Sequence, residues 1–269
     1  IGFEYSDCWV DDARLVLMNA RDAAERGAKV MVRHEVVSAR RENGLWVINA
    51  RDHTSAKHEF RARILVNAAG PWVSQLTDSV VEGAAHRDMR LIRGSHIVVP
   101  KLYAHDRCYL LQNSDGRIVF VIPYEGDFSL IGTTDEEHHE SLEKIAIEKG
   151  EAEYLCASVN QYFKTSISTK DVVWSYSAVR PLFDDGTSDA KSITRDYRVV
   201  SEFNETGAPL ISVLGGKITT YRKLAEEVMV EISRVLGALG PSWTGSAPLP
   251  GGSFACLEFE NEVTRLQEE

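Results

Sequence analysis

The sequence predicts a mixed chain of α/β and α+β character, with helices and strands alternating at its two ends and an antiparallel sheet between them. Three observations predict it. The opening residues read as helix, strand and hairpin. From Leu91 onward the chain is a succession of β-rich runs joined by short polar turns, and the last strand, Leu210 to Leu214, leads through Gly215 and Gly216 straight into an amphipathic helix.

Ala13, Val16, Leu17, Ala20 and Ala24 recur at helical spacing, with Asp11 or Asp12 as N-cap and Gly27 as the stop. Ala28 to Arg33 (AKVMVR) follows as a strand. The runs EVVSARR and LWVINARD are joined through Glu42-Asn43-Gly44, and Asn-Gly supplies the left-handed backbone that a two-residue hairpin turn requires. Ile64 to Val66 reads as a fully buried strand ending in Ala68-Ala69-Gly70 before Pro71. Small residues there let a ligand or another backbone come close; a tight strand-to-helix turn with no ligand fits the pattern equally well.

The β-rich runs LIRGSHIVVP, CYLLQN, RIVFVIPY and FSLIGTTD are linked by polar turns such as Asn113 to Gly116 and Glu125 to Asp127, which points to an antiparallel sheet. One helix, around Glu151 to Phe163, interrupts them with Tyr154, Leu155, Val159 and Phe163 on one stripe. The sheet pattern resumes at DVVWSYSAVRPLF and SITRDYRVVSEF. After the helix that contains Leu224, Ala225, Val228, Met229 and Ile232, the Gly-, Pro- and Ser-rich stretch from Gly237 to Gly252 reads as a connector. The start at Ile1 without Met, and a closing helical run that stops mid-pattern, read as an internal segment of a longer protein.

With 269 residues, 43% hydrophobic and 26% charged, the composition is that of a globular chain, and it excludes a disordered one. A net charge of −10 argues against a nucleic-acid surface, because phosphate neutralisation needs a concentrated basic face. Cys8, Cys108, Cys156 and Cys256 are too scattered for a disulfide framework or a zinc spacing and read as reduced, buried and cytoplasmic. No apolar run approaches the roughly 18 residues of a membrane span. No metal site is expected: His138-His139 lacks ligand spacing and HEVVS at His34 is not a zinc-protease motif, so these histidines read as solvated.

The stretch ISVLGGKITTYRKLAEE carries the clearest chemical signal. Two glycines between a strand and a helix bare the backbone, the helix N-terminus presents free N–H donors and partial positive charge, and Lys217 adds a formal cation. An anionic or flat, electron-rich group would be received there; a tight turn before a Thr-capped helix explains the same spacing. Arg180 precedes Pro181, which places it at a strand end, where an arginine commonly pairs with a carboxylate such as Asp184, Asp185 or Asp196. Arg195 occupies a comparable position in the next run, and His96 lies in GSHIVV on the face opposite Ile97 and Val99. Order in the chain alone does not bring the three together.

The runs FEYSDCWVDDARLVL, SARRENGLW, VNAAGPW, RLIRGSHIVVP, RIVFVIPY, IGTTD, WSYSAVRPL, ITRDY and GGKITTYRKLAE, in order over nearly the whole chain, resemble the FAD-dependent, respiratory glycerol-3-phosphate dehydrogenases. The resemblance implies a partial FAD/NAD(P)-binding domain plus an antiparallel-sheet substrate domain of the amino-acid-oxidase-like flavoprotein type. Residues 1–90 would belong to the FAD-binding domain, with a short substrate-domain strand at the start, and 91–209 to the substrate domain. Residues 210–238 would be the return strand and helix, and 239–269 a linker and the truncated start of a C-terminal helical domain. The family's Gly-x-Gly-x-x-Gly pyrophosphate fingerprint does not occur in these 269 residues, so FAD is expected in the complete enzyme and not necessarily in this segment alone.

By the same resemblance Gly215, Gly216, Lys217 and Thr219 lie under the pyrimidine edge of the flavin, and Ala68, Ala69, Gly70 and Val36 approach the nucleotide half of FAD. His96 is the general base, since an unperturbed histidine, with a pKa of about 6.5, suits proton abstraction near neutrality. Arg180, Arg195, His96 and Lys217 bind the substrate, and Arg180 and Lys217 join His96 in catalysis. The implied reaction is oxidation of glycerol 3-phosphate to dihydroxyacetone phosphate by hydride transfer to the flavin, with electrons passed to membrane quinone. A cytoplasmic enzyme in peripheral contact with the inner face of the membrane follows, with a homodimer as a further expected association. Two other readings remain: a related flavoenzyme acting on amines or using O2, and a non-catalytic fragment that binds an anion.

Overall fold

The computed structural model describes residues 2–7, 10–87, 89–183, 196–204 and 207–268. They form two compact units: residues 38–47 with 61–217, and residues 1–37, 48–60 and 218–269. The sequence-expected borders at 90/91 and 209/210 fall inside the larger unit.

Helix α1 (Asp12–Glu25) starts where Asp11 accepts a hydrogen bond from the Arg14 amide, and Gly27 follows its end at φ 95°. Ala28 to Arg33 is not a strand. Among the described residues nothing pairs with it, Val32 is exposed, and Arg33 turns the chain through the left-handed region at φ 57°. Strand β1 (His34–Glu42) begins directly afterwards, and β2 (Leu45–Asp52) returns from it through Asn43 and Gly44, both at positive φ. Strand β3 (Lys57–Ala62) completes the order β1-β2-β3.

Strand β4 (Leu65–Asn67) is only partly covered, with Val66 38% exposed and Asn67 buried, which corrects the expectation of a fully buried strand. Its carboxyl end passes through a 3-10 turn, Gly70–Trp72, into α2 (Val73–Ser79). Strand β12 (Gly207–Leu214) lies between β4, to which it is parallel, and β11 (Arg198–Asn204), to which it is antiparallel. The tip of the β1–β2 hairpin is pinned to β12. Trp46 Nε1 donates to the Pro209 carbonyl at 2.8 Å, Arg41 donates to the Ala208 carbonyl at 2.8 Å, and the Arg41 guanidinium stacks on the Trp46 ring at 4.2 Å.

The antiparallel sheet has the order β10-β5-β8-β7-β6, built from β5 (Met89–Pro100), β6 (Tyr109–Gln112), β7 (Ile118–Tyr124), β8 (Phe128–Gly132) and β10 (Trp174–Phe183), with the short β9 (Glu136–Glu137) also pairing with β5. Alternation along these strands separates two faces. Ile97, Val99, Leu111, Val119, Val121 and Ile131 turn toward α3 (Lys149–Asn160) and bury Leu155, Cys156 and Val159 in a single core. Burial pushes the Cys156 thiol pKa up. Cys108 and Cys256 are exposed, against the expectation that all four cysteines are buried, because the first falls on the approach to an edge strand and the second on the turn before the last helix. Cys8 lies outside the described residues. His138 is buried, with its amide bonded to the Leu91 carbonyl, so only its neighbour His139 is solvated as expected.

Helix α4 (Tyr221–Leu236) starts at Thr220 without a side-chain cap, so the Thr-capped reading does not hold. The segment after α4 folds back onto it. Ser242 and Thr244 donate to Glu226, which also pairs with Arg222 and Lys223, and Trp243 lies under the Arg26 guanidinium at 4.3 Å. The Ser242 and Lys223 contacts hold the Glu226 carboxyl down to about 2. A depressed carboxyl pKa gives a contribution present above the unfolded value and lost as pH falls through the folded one. Acid titration of tryptophan fluorescence is therefore expected to show Trp243 losing its contact with Arg26 between the ordinary carboxyl range and about pH 2. In Glu226→Gln that component should already be absent at neutral pH; an unchanged titration would show that Glu226 does not hold the segment. Helix α5 (Phe259–Glu268) ends the described chain.

Candidate active site

The face of the antiparallel sheet opposite α3 carries the candidate site. Cross-strand registers Tyr176↔His96 and His96↔Gly132 set three residues in one row, and Ala178↔Gly94 sets the next row on the same face. The His96 ring is stacked on Tyr176, with centroids 4.8 Å apart and planes 5° from parallel. On its other side it lies over Gly132, where a built Cβ would come within 2.2 Å of His96 Cδ2. The imidazole is thus held between an aromatic ring and a residue that must have no side chain.

Arg180 stands on the same face, four residues along β10 from Tyr176. Its Nη2 lies 3.2 Å from where a Gly94 Cβ would be, so the guanidinium reaches back over Gly94 toward His96. Asp135 Oδ1 faces it at 3.6 Å; of the sequence-expected partners, Asp184 and Asp185 lie outside the described residues. Pro181 does not end the strand. β10 is a sheet edge, where a residue without an N–H is tolerated, and pairing continues to Phe183, so Arg180 is an in-strand residue.

The segment after Gly132 forms a bulge. Between the pairs His96↔Gly132 and Arg93↔Glu136, β5 has two residues, Gly94 and Ser95, while the partner has three, Thr133, Thr134 and Asp135. The extra residue puts Thr133 Oγ1 against Gly94, 2.4 Å from its built Cβ, and carries Asp135 to Arg180. Thr133, Asp135, Tyr176 and the two glycines were not singled out from the sequence. The signal available there was the Gly-Thr-Thr-Asp run closing a strand whose next residues are charged.

The parallel pair β4 and β12 delivers the other sequence-expected residues to one edge. With Asn67 beside Ser212, both strands release small-residue segments in the same direction: Ala68-Ala69-Gly70, with Gly70 at φ 57°, and Gly215-Gly216-Lys217, with both glycines at positive φ. Carboxyl ends of adjacent parallel strands are where open α/β sheets take their ligands. A Cβ on Gly70 would meet nothing within 4 Å. A Cβ on Gly215 would stand 3.1 Å from the Asp196 carbonyl, with the Pro181 carbonyl of β10 in ordinary contact at 3.6 Å, so this glycine is demanded by its φ of 70° and by the close Asp196 backbone. The 3-10 turn at Gly70 also packs beside β10. These bare backbones with Lys217 suit a flat group that acquires negative charge, which is the fit FAD requires. Val36 and Thr219 belong to the smaller unit, Val36 half-buried on β1 and Thr219 in the turn Ile218–Thr220; Arg195 lies outside the described residues.

His34, Asp52 and His58 offer ligand atoms within 4.8 Å of one another. Asp52 is already committed: it accepts from the Thr54 and Ala56 amides at the β2–β3 turn and pairs with His58 Nε2 at 2.9 Å, and Arg33 and Arg51 line the hollow beside it. The group reads as a turn anchor.

The profile of the FAD dependent oxidoreductase (DAO) family matches residues 1–222. The chain is 49% identical over 269 residues to the D-erythritol 1-phosphate dehydrogenase of Brucella abortus, covering 99% of this chain and 53% of that protein. It is 49% identical over 254 residues to the aerobic glycerol-3-phosphate dehydrogenase of Escherichia coli, covering 94% and 51%. The FAD-complexed glycerol-3-phosphate dehydrogenase structure from Bacillus halodurans superposes with a TM-score of 0.81 at 30% identity, covering 95% of this chain and 49% of that one. The chain therefore spans about half the length of the curated relatives it matches. The resemblance and the flavoprotein fold expected from the sequence motifs are borne out by these similarities.

Proposed function

The chain belongs to the FAD dependent oxidoreductase family, and we propose that it forms the substrate-facing part of a dehydrogenase that oxidises glycerol 3-phosphate to dihydroxyacetone phosphate. The observation that carries this reading is the placing of an imidazole and a guanidinium on one sheet face, each standing over a glycine whose missing side chain makes the room it occupies. A phosphomonoester with a secondary alcohol needs both: a forked donor for phosphate oxygens and a base for the hydroxyl proton.

FAD, when bound, supplies the two-electron acceptor. Arg180, oriented by Asp135, binds the phosphate, and Arg195 is assigned to the same task on the resemblance. His96 accepts the hydroxyl proton while Tyr176 and Gly132 fix its ring plane. Ala68, Ala69, Gly70, Gly215, Gly216 and Lys217 would hold the cofactor in the larger unit, with Lys217 stabilising the negative charge it gains. Val36 and Thr219 are assigned to the cofactor on the resemblance. Electrons then pass to membrane quinone, with the protein cytoplasmic and peripherally attached to the inner face of the membrane. No described helix is long and apolar enough to cross a membrane.

In the FAD-loaded enzyme containing this chain, glycerol 3-phosphate added without oxygen should bleach the flavin band; persistence of the band would overturn the reading. Arg180→Ala should raise KM by about 10- to 100-fold, the loss expected for a charge-assisted hydrogen-bond pair, while flavin content is retained. Unchanged KM would remove Arg180 from the phosphate site. A four-carbon polyol phosphate is the second reading, favoured by the 49% identity to the erythritol 1-phosphate enzyme over nearly the whole chain. The ratio of kcat/KM for the two phosphates decides between them.

A further inference from the structure

Behind the candidate site, on the α3 side of the same sheet, lies a buried polar cluster that the core does not need for packing. Glu151, only 6% exposed, stands in the first turn of α3. Its carboxylate accepts from Thr134 Oγ1 at 2.6 Å, from Ser95 Oγ at 2.8 Å and from the Glu148 amide at 2.9 Å, and it pairs with Arg93 at 3.1 Å. Burial alone would raise its pKa; the Thr134, Glu148 and Ser95 hydrogen bonds and the Arg93 charge together hold it below the ordinary carboxyl range, so it is anionic.

Thr134 is the middle residue of the bulge. While donating to Glu151, its Oγ1 accepts the Ser95 N–H at 2.8 Å, a bond that a regular ladder would give to a backbone carbonyl. Ser95 in turn shares a 2.8 Å hydroxyl contact with Ser177 of β10. The carboxylate therefore ties β5, β10 and the bulge together from behind, at the rows that present His96, Gly94 and Arg180 in front. A buried charge with every contact supplied is costly to assemble, and the contacts it makes converge on the segment that aims Thr133 and Asp135.

We propose that Glu151 is a positioning residue: by fixing Thr134 it sets the bulge, and through Asp135 and the adjoining Gly132 it orients Arg180 and His96 for the reaction. This role rests on the reading of the sheet face as the substrate site. Thr134→Val preserves volume and removes only the hydroxyl that Glu151 holds, whereas Thr134→Ser keeps it, and Glu151→Gln keeps shape but removes the charge. In the FAD-loaded enzyme, Thr134→Val and Glu151→Gln should each raise KM for glycerol 3-phosphate and lower kcat by about tenfold, on the scale of a small misplacement of reacting groups. Flavin content should stay unchanged and Thr134→Ser should restore wild-type values. A Thr134→Val enzyme that melts earlier but keeps wild-type kcat and KM would overturn the proposal, because the cluster would then serve stability alone; so would a Thr134→Ser enzyme as impaired as Thr134→Val. If the wild-type enzyme itself does not turn over glycerol 3-phosphate, the substrate reading falls, and this role with it, by an outcome separate from either of those.

Discussion

Replacing His96 with alanine in the FAD-loaded enzyme should lower kcat by about 10²- to 10⁴-fold, the range spanned by a positioned general base, while flavin stays bound and KM changes little. The expectation follows from how the ring is held. Stacked parallel to Tyr176 on one side and seated over Gly132 on the other, it has little freedom to rotate. A group fixed that tightly on an open sheet face is costly to keep unless its orientation is used. Stopped-flow reduction of the flavin by glycerol 3-phosphate measures the step directly. A reduction rate within a few-fold of wild type would show that the proton is taken elsewhere.

Gly132→Ala should produce a loss of about 10²-fold in kcat with His96 itself retained. The added methyl would fall 2.2 Å from His96 Cδ2, well inside van der Waals contact, and the opposite side of the ring is already filled by Tyr176. The ring has to leave its place. A displacement of about 1 Å in a reacting group can cost about 10²-fold in rate. Gly132 is not among the glycines at positive φ, so alanine strains the strand through this contact and not through backbone conformation. The decisive comparison is the double variant. If the methyl acts through the ring, Gly132→Ala adds almost nothing to His96→Ala; independent, multiplicative losses would show that the glycine serves another purpose.

How much of this was legible in the sequence depends on whether the signal is local. The cap at Asp11, the Asn43-Gly44 turn and the alternation of Ile97 and Val99 against His96 each act within a few residues, and the corresponding elements formed where the sequence placed them. Ala28 to Arg33 has the β-branched and apolar content of a strand but no partner among the described residues, and strand formation is decided by pairing. Lys57 to Ala62 shows the converse. Its single large apolar residue, Phe60, gave no strand signal, yet the neighbouring β2 recruits it. His96 and Arg180 were nameable from their runs and the resemblance. That Arg180 reaches over Gly94, that Gly132 underlies His96, and that Glu151 holds the bulge all depend on registers between segments tens of residues apart, which no local pattern encodes.

The division of the chain into units bears on the order in which they can be completed. Residues 38–47 leave the smaller unit to join the larger one, residues 48–60 return, and residues 218–269 return again. The larger unit is built from two stretches, the longer of them 61–217 in one piece, whereas the smaller one joins three stretches, the last of which follows Lys217. During synthesis α1, whose Val16 and Leu17 are exposed in this chain, is made before residues 218–269 of its unit. Contacts so distant in sequence are slow to form and expose such surfaces while they wait. The larger unit thus has its residues together earlier in synthesis than the smaller one.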